Sequence, residues 1–95
     1  MSEARGIERD IARAAEVLKS FGAREVYVFG SAARGELGAE SDVDLAVTGL
    51  PARVFFKAMG AAMQALRRSL DLVDLDERSV FTDYLKEKGK LQRVG

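Results

Sequence analysis

Ninety-five residues carry 15 basic and 15 acidic side chains, which sum to zero net charge. That length suits one domain spanning residues 1–95, and 47% apolar with 32% charged residues is the balance of a soluble globule rather than a disordered or membrane-spanning chain. The sequence holds no His, no Cys and no Trp, which excludes zinc fingers, disulfides, thiol nucleophiles and Ser-His-Asp triads. Any metal is then a hard cation held by oxygen, chiefly from Asp and Glu. Zero net charge gives no general attraction to nucleic acid or to an anionic membrane surface. The halves lean only mildly apart, with six basic and nine acidic groups in residues 1–50 and nine and six in residues 51–95. No apolar run is long enough to cross a bilayer, and the charged start MSEARGIERD is unlike a signal peptide, so a cytoplasmic protein is expected.

Apolar residues at Ile7, Ile11, Ala14, Ala15, Leu18 and Phe21 keep helical spacing and predict one buried stripe over residues 3–21, stopped at Gly22. Residues 24–29 are β-branched and aromatic with no polar alternation after Glu25, which reads as a strand covered on both faces. Residues 43–47 form a second strand, with Asp44 between apolar neighbours. Pro51 suits the first turn of a helix whose apolar face is Phe56, Met59, Met63 and Leu66. Residues 70–75 make a third strand. Asp76 is placed to cap a last helix with the apolar set Val80, Phe81, Tyr84 and Leu85, closed by Gly89. About 20 residues including a helix join the second and third strands, a crossover length that favours parallel pairing, whereas the first two strands can pair either way. The expected fold is α+β: a small mixed three-stranded sheet with helices mainly on one face, the other face left open for a site or a partner.

The informative stretch is Phe29-Gly30-Ser31-Ala32-Ala33-Arg34-Gly35, followed by Ser41-Asp42-Val43-Asp44-Leu45. A strand running into Gly-Ser puts backbone N–H groups and a hydroxyl where an anion can be held. A side chain at Gly30 would obstruct the approach of the backbone to a phosphate. Asp42 and Asp44, two apart at the start of a strand, point to one face, with Cα atoms roughly 6–7 Å apart. Two carboxylates so placed can hold a pair of Mg²⁺ ions about 3.5–4 Å apart, the arrangement used for in-line phosphoryl or nucleotidyl displacement. Gly-Ser and Asp-x-Asp are each common, and an Asp-x-Asp on a surface strand usually means only solvation. The two together, ten residues apart, are specific.

On these residues the chain resembles the minimal nucleotidyltransferases of the DNA-polymerase-beta-like superfamily. Their hallmark, Gly-Ser-x10-Asp-x-Asp, is matched by Gly30, Ser31, Asp42 and Asp44 with the spacing intact. The similarity runs over nearly the whole chain: the preceding strand VYVFG, Ala33-Arg34-Gly35, Ser41-Asp42, a later strand with a third Asp, and a closing helix that ends in Lys88-Gly89. The resemblance implies that Gly30 and Ser31 bind a nucleoside triphosphate and that Asp42 and Asp44 are catalytic and bind Mg²⁺. Where many relatives read Gly-Ser-Arg-Ala-Arg-Gly, this chain has Ala32 in place of the first Arg, which leaves Arg34 as the phosphate contact. The third carboxylate is Asp71 or Asp74, which face opposite sides of the strand. Relatives place it early, as apolar-Asp-apolar, and Leu70-Asp71-Leu72 matches that form, so Asp71 is favoured. Asp76 reads as a cap residue.

The activity so implied is Mg²⁺-dependent transfer of AMP from ATP to a hydroxyl. Small stand-alone members of the family accompany a HEPN-domain protein in toxin–antitoxin pairs. The resemblance therefore implies an antitoxin of the AMP-transferring kind (type VII), acting on a tyrosine of a HEPN ribonuclease within a hetero-oligomer; the charge balance and the lack of a long apolar run argue against nucleic acid and membrane as partners. The alternative is a non-catalytic module that neutralises its partner by contact, a reading prompted by Ala32 and by the small size of the chain.

Overall fold

Helix α1 (Glu3–Ser20) buries Ile11, Ala14, Ala15 and Leu18, the stripe its helical spacing dictates. It stops where Gly22 adopts φ +120°. The Gly22 N–H donates to the Lys19 carbonyl at 3.0 Å and the Ala23 N–H to the Leu18 carbonyl at 3.1 Å, which satisfies carbonyls that the last helical turn leaves unpaired. These elements come from a computed structural model that describes residues 3–30, 42–88 and 91–94. Residues 31–41, between the first two strands, and the closing Gly89 lie outside the described residues.

Strand β1 (Glu25–Phe29) pairs antiparallel with β2 (Val43–Thr48), with Val28 opposite Leu45 and Phe29 opposite Asp44. Pro51 leads into a 3₁₀ turn, Ala52–Val54, that runs straight into α2 (Phe55–Leu66). The crossover returns to β3 (Leu70–Asp74), which lies parallel to β2 as its length requires. Helix α3 (Val80–Lys88) follows, and β4 (Gln92–Val94) adds antiparallel to the free edge of β1. The sheet order is β3-β2-β1-β4. Among the described residues the sheet thus has four strands where the sequence suggests three. The fourth is three residues long and mostly exposed, too short and too wet to show the apolar alternation by which a strand is recognised.

Strand alternation sorts the sheet into two faces. Val26, Val28, Val43, Leu45, Val47 and Leu70 point to one face and form the main core with α1 and α2. On the other face a smaller cluster gathers Ala46, Leu75 and Leu85 of α3, with Tyr27, Phe29 and Val73 packed against it. Helices therefore lie mainly on one face, and α3 covers only part of the second. Strand β1 alternates between buried and half-buried positions rather than being fully covered on both faces.

Two helix faces differ from the expectation. Helix α2 buries Ala58, Ala62 and Leu66, while Phe56 stays 75% exposed; small alanines let α2 approach α1 closely, and the larger Met59 and Met63 pack at the margin. In α3 only Thr82 and Leu85 are buried, and Val80, Phe81 and Tyr84 face solvent. Its cap is Ser79, not Asp76. The Thr82 N–H donates to Ser79 Oγ at 3.1 Å and the Ser79 N–H donates to Thr82 Oγ1 at 3.0 Å, a reciprocal capping box. Asp76 instead accepts the Gly49 N–H at 2.6 Å and so ties the end of β2 to the turn after β3. Among the described residues no helix is long and apolar enough to cross a membrane.

Candidate active site

Asp44 is the second residue of β2 and Asp71 the second residue of β3, and the parallel register sets them side by side. Phe29 stands opposite Asp44 on the other flank, so Phe29, Asp44 and Asp71 form one row across the sheet on the face away from α1 and α2. Neighbouring strands lie about 4.8 Å apart, which brings the two carboxylates within reach of each other. Burial holds the Asp44 carboxyl above the usual carboxylate range; the charge of Asp71, a hydrogen bond shared with Asp71 and lastly the charge of Asp42 push it the same way. Asp42, immediately before β2, is exposed and projects toward the same side by alternation. Three negative groups thus feel one another at one end of the sheet.

Gly30 closes this arrangement. It follows β1 directly at φ +70°, and a Cβ built there would collide with Oδ2 of Asp44. The sequence points to glycine here for the approach of a phosphate; its observed neighbour is the carboxylate itself. Any larger residue would push the Asp44 side chain out of its place. Ser31 and Arg34, the other expected nucleotide contacts, lie outside the described residues.

Register also separates Asp71 from Asp74. Asp74 pairs with Val47 on the opposite face, and its Oδ1 accepts the Asp76 N–H at 2.9 Å, the work of a turn residue. Asp71 alone joins Asp44. Phe29 is the neighbour of the pair that sequence reasoning missed, because its place in the row depends on the antiparallel register of β1, which the sequence left open.

The site's donors are hard carboxylate oxygens whose mutual repulsion a divalent cation relieves, so the residues fit Mg²⁺. Asp44 and Asp71 would be the first to hold such an ion, with Asp42 beside them; among the described residues no group of three His, Cys, Asp or Glu side chains closes around one point.

Residues 13–91 match the sequence profile of the family described as Polymerase beta, Nucleotidyltransferase. The chain belongs to that family. No curated protein sequence matches this nucleotidyltransferase. Among solved structures it is similar to a toxin–antitoxin crystallised with AMP-PNP, at 28% identity and a TM-score of 0.68, over 88% of this chain and 70% of that one. It is also similar to a mutant of the toxin–antitoxin MntA–HpeT in which two aspartates two positions apart are changed to glutamate, at 26% identity and a TM-score of 0.65, over 80% of this chain and 66% of that one. A second MntA–HpeT mutant, with a tyrosine changed to alanine, matches at 25% identity and a TM-score of 0.63, over 100% of this chain and 74% of that one. The nucleotidyltransferase described here spans roughly two thirds to three quarters of the length of these chains.

Proposed function

We propose that this nucleotidyltransferase transfers AMP from ATP to a tyrosine hydroxyl of a HEPN-domain toxin, with Mg²⁺ as cofactor, and thereby acts as an antitoxin. The observation that carries the reading is the in-register Asp44–Asp71 pair, with Gly30 packed against Asp44. The similarity to toxin–antitoxin structures, one of them with AMP-PNP, supports the choice of nucleotide and partner.

Asp42 and Asp44 would hold the Mg²⁺ ions, with Asp71 completing the set on the acceptor side. When bound, Mg²⁺ supplies positive charge that neutralises the triphosphate and the departing pyrophosphate. The remaining roles belong to the chain. Gly30 keeps space for the Asp44 carboxylate at the start of the segment carrying Ser31 and Arg34, which hold the triphosphate. Asp71, exposed at the edge of the row, takes the proton of the acceptor hydroxyl. The hydroxyl oxygen bonds to the α-phosphorus as the bond from that phosphorus to pyrophosphate breaks, leaving AMP on the acceptor as a phosphodiester. The adduct adds about one negative charge, enough to repel RNA from a ribonuclease site.

Co-expression with a HEPN-domain toxin as candidate partner, followed by intact mass measurement, tests the reading. The toxin is expected to gain the mass of at least one AMP, and to gain none with the Asp42→Asn variant. An unmodified toxin that is still neutralised by Asp42→Asn would establish neutralisation by contact instead.

A further inference from the structure

On the face of the sheet away from α1 and α2, strands β1 and β2 oppose Glu25 to Thr48, Tyr27 to Ala46 and Phe29 to Asp44. Where a hydroxyl faces a carboxylate in this ladder, the two bond: Thr48 Oγ1 donates to Glu25 Oε1 at 3.3 Å. Opposite Asp44 the chain places a phenyl ring instead, a side chain with no hydrogen-bonding N–H or O–H. Directly opposed side chains have Cβ atoms about 4.5–5.5 Å apart. A donor at position 29 would therefore lie within reach of the Asp44 carboxylate, as Thr48 is of Glu25.

Phe29 is itself held in place. It is half-buried and packs against the cluster of Ala46, Leu75 and Leu85. Ala46 is its diagonal neighbour on β2 and offers only a methyl group, which leaves room for a ring. Leu85 brings α3 onto the same cluster. The ring thus has a packed cluster on one side and Asp44 on the other. Asp71 stands on the far flank of Asp44, and the Gly30 backbone lies close to its Oδ2. With both acids ionised, neither flank in the sheet donates a side-chain hydrogen bond to Asp44.

We propose that Phe29 is a positioning residue of the site: its ring closes the β1 flank of Asp44 to hydrogen-bond donors and so leaves the carboxylate oxygens to a divalent cation. The inference deepens the transferase reading and rests on Asp44 holding Mg²⁺. A carboxylate that accepts a side-chain hydrogen bond gives up a lone-pair site and is drawn toward the donor. A cation must then displace that bond before it is held. The ring adds no charge of its own and acts through Asp44.

The test compares variants matched in shape that differ in a donor: Phe29→Val with Phe29→Thr, and Phe29→Met with Phe29→Gln. Both members of a pair lose the ring, so a purely structural role moves them alike. The readout is the Mg²⁺ concentration at which binding of the α,β-methylene analogue of ATP, followed by calorimetry, is half developed; no acceptor is needed and no turnover occurs. Urea titration at the assay temperature shows which variants are folded, and the Met–Gln pair, which fills more of the ring's volume, carries the comparison if the smaller pair unfolds. Phe29→Thr and Phe29→Gln are expected to need about tenfold more Mg²⁺ than their apolar partners, the scale set by a hydrogen bond to a charged group. Phe29→Val and Phe29→Met are expected to stay within about threefold of wild type, since neither offers Asp44 a donor. Equal Mg²⁺ requirements within the folded pairs overturn the proposal, assign Phe29 to packing alone and leave the transferase reading standing. Wild-type protein that binds the analogue no better with Mg²⁺ than without it defeats the metal assignment of Asp44, and the proposal with it, before any variant is compared.

Discussion

Gly30 is the residue at which backbone conformation and chemistry meet most tightly. Its φ of +70° belongs to the left-handed region that other residues enter at a cost of about 1–2 kcal/mol, and its missing side chain is what leaves Asp44 Oδ2 its place. Gly30→Ala therefore acts twice. It is expected to lower the unfolding free energy by about 1–2 kcal/mol in a urea titration, and to abolish transfer by displacing a carboxylate. If the alanine variant kept both stability and transfer, the close approach of Gly30 to Asp44 would have no functional weight. Asp71 and Asp74 show how three positions along a strand separate chemistry from architecture. One stands in register beside Asp44; the other accepts a backbone N–H in a turn.

At the scale of elements, α3 is the weakest joint. It packs through Leu85 and Thr82 and is begun by the Ser79–Thr82 capping box, in which Thr82 Oγ1 also donates to the Glu77 carbonyl at 2.6 Å. Replacing Ser79 by Ala is expected to cost about 1 kcal/mol, read as a fall in Tm of roughly 4–8 °C for a domain of this size. Thermal unfolding within a degree of wild type would show that the box does not hold the helix. This end of the molecule was also the least legible in the sequence. Asp76 precedes an apolar run and is a good capping residue by type, but Ser79 lies next to the first helical residue and satisfies its own N–H through Thr82. The apolar set Val80, Phe81 and Tyr84 was legible as apolar and misleading as core, because helical spacing cannot say whether a partner lies within the chain. By contrast, α1 and the parallel β2–β3 pair could be read directly, whereas Asp71 is singled out from Asp74 only by the family resemblance. Gly22, the crossover length and the alternation around Asp44 each allow few conformations. The register of β1, and with it the place of Phe29, is set by contacts distant in sequence and left no local trace.

In the whole molecule, two helices and the main core hold one face of a four-stranded sheet, while the other face carries the acids at one end and α3 beside them. The rigid side supports the chemical side. Leu45 and Val43, fully buried, bracket Asp44 on β2, so packing of the core fixes where the carboxylate stands. The most direct measurement of this arrangement is the initial rate of label transfer from α-labelled ATP, with Mg²⁺, for three single variants. Asp44→Asn and Asp71→Asn are expected to lose at least about 100-fold in rate, on the order of 2.7 kcal/mol of transition-state stabilisation, while Asp74→Asn stays within about twofold of wild type. Wild-type rates for Asp71→Asn, or a collapse in Asp74→Asn, would contradict the assignment of the Asp44–Asp71 pair as the reacting centre.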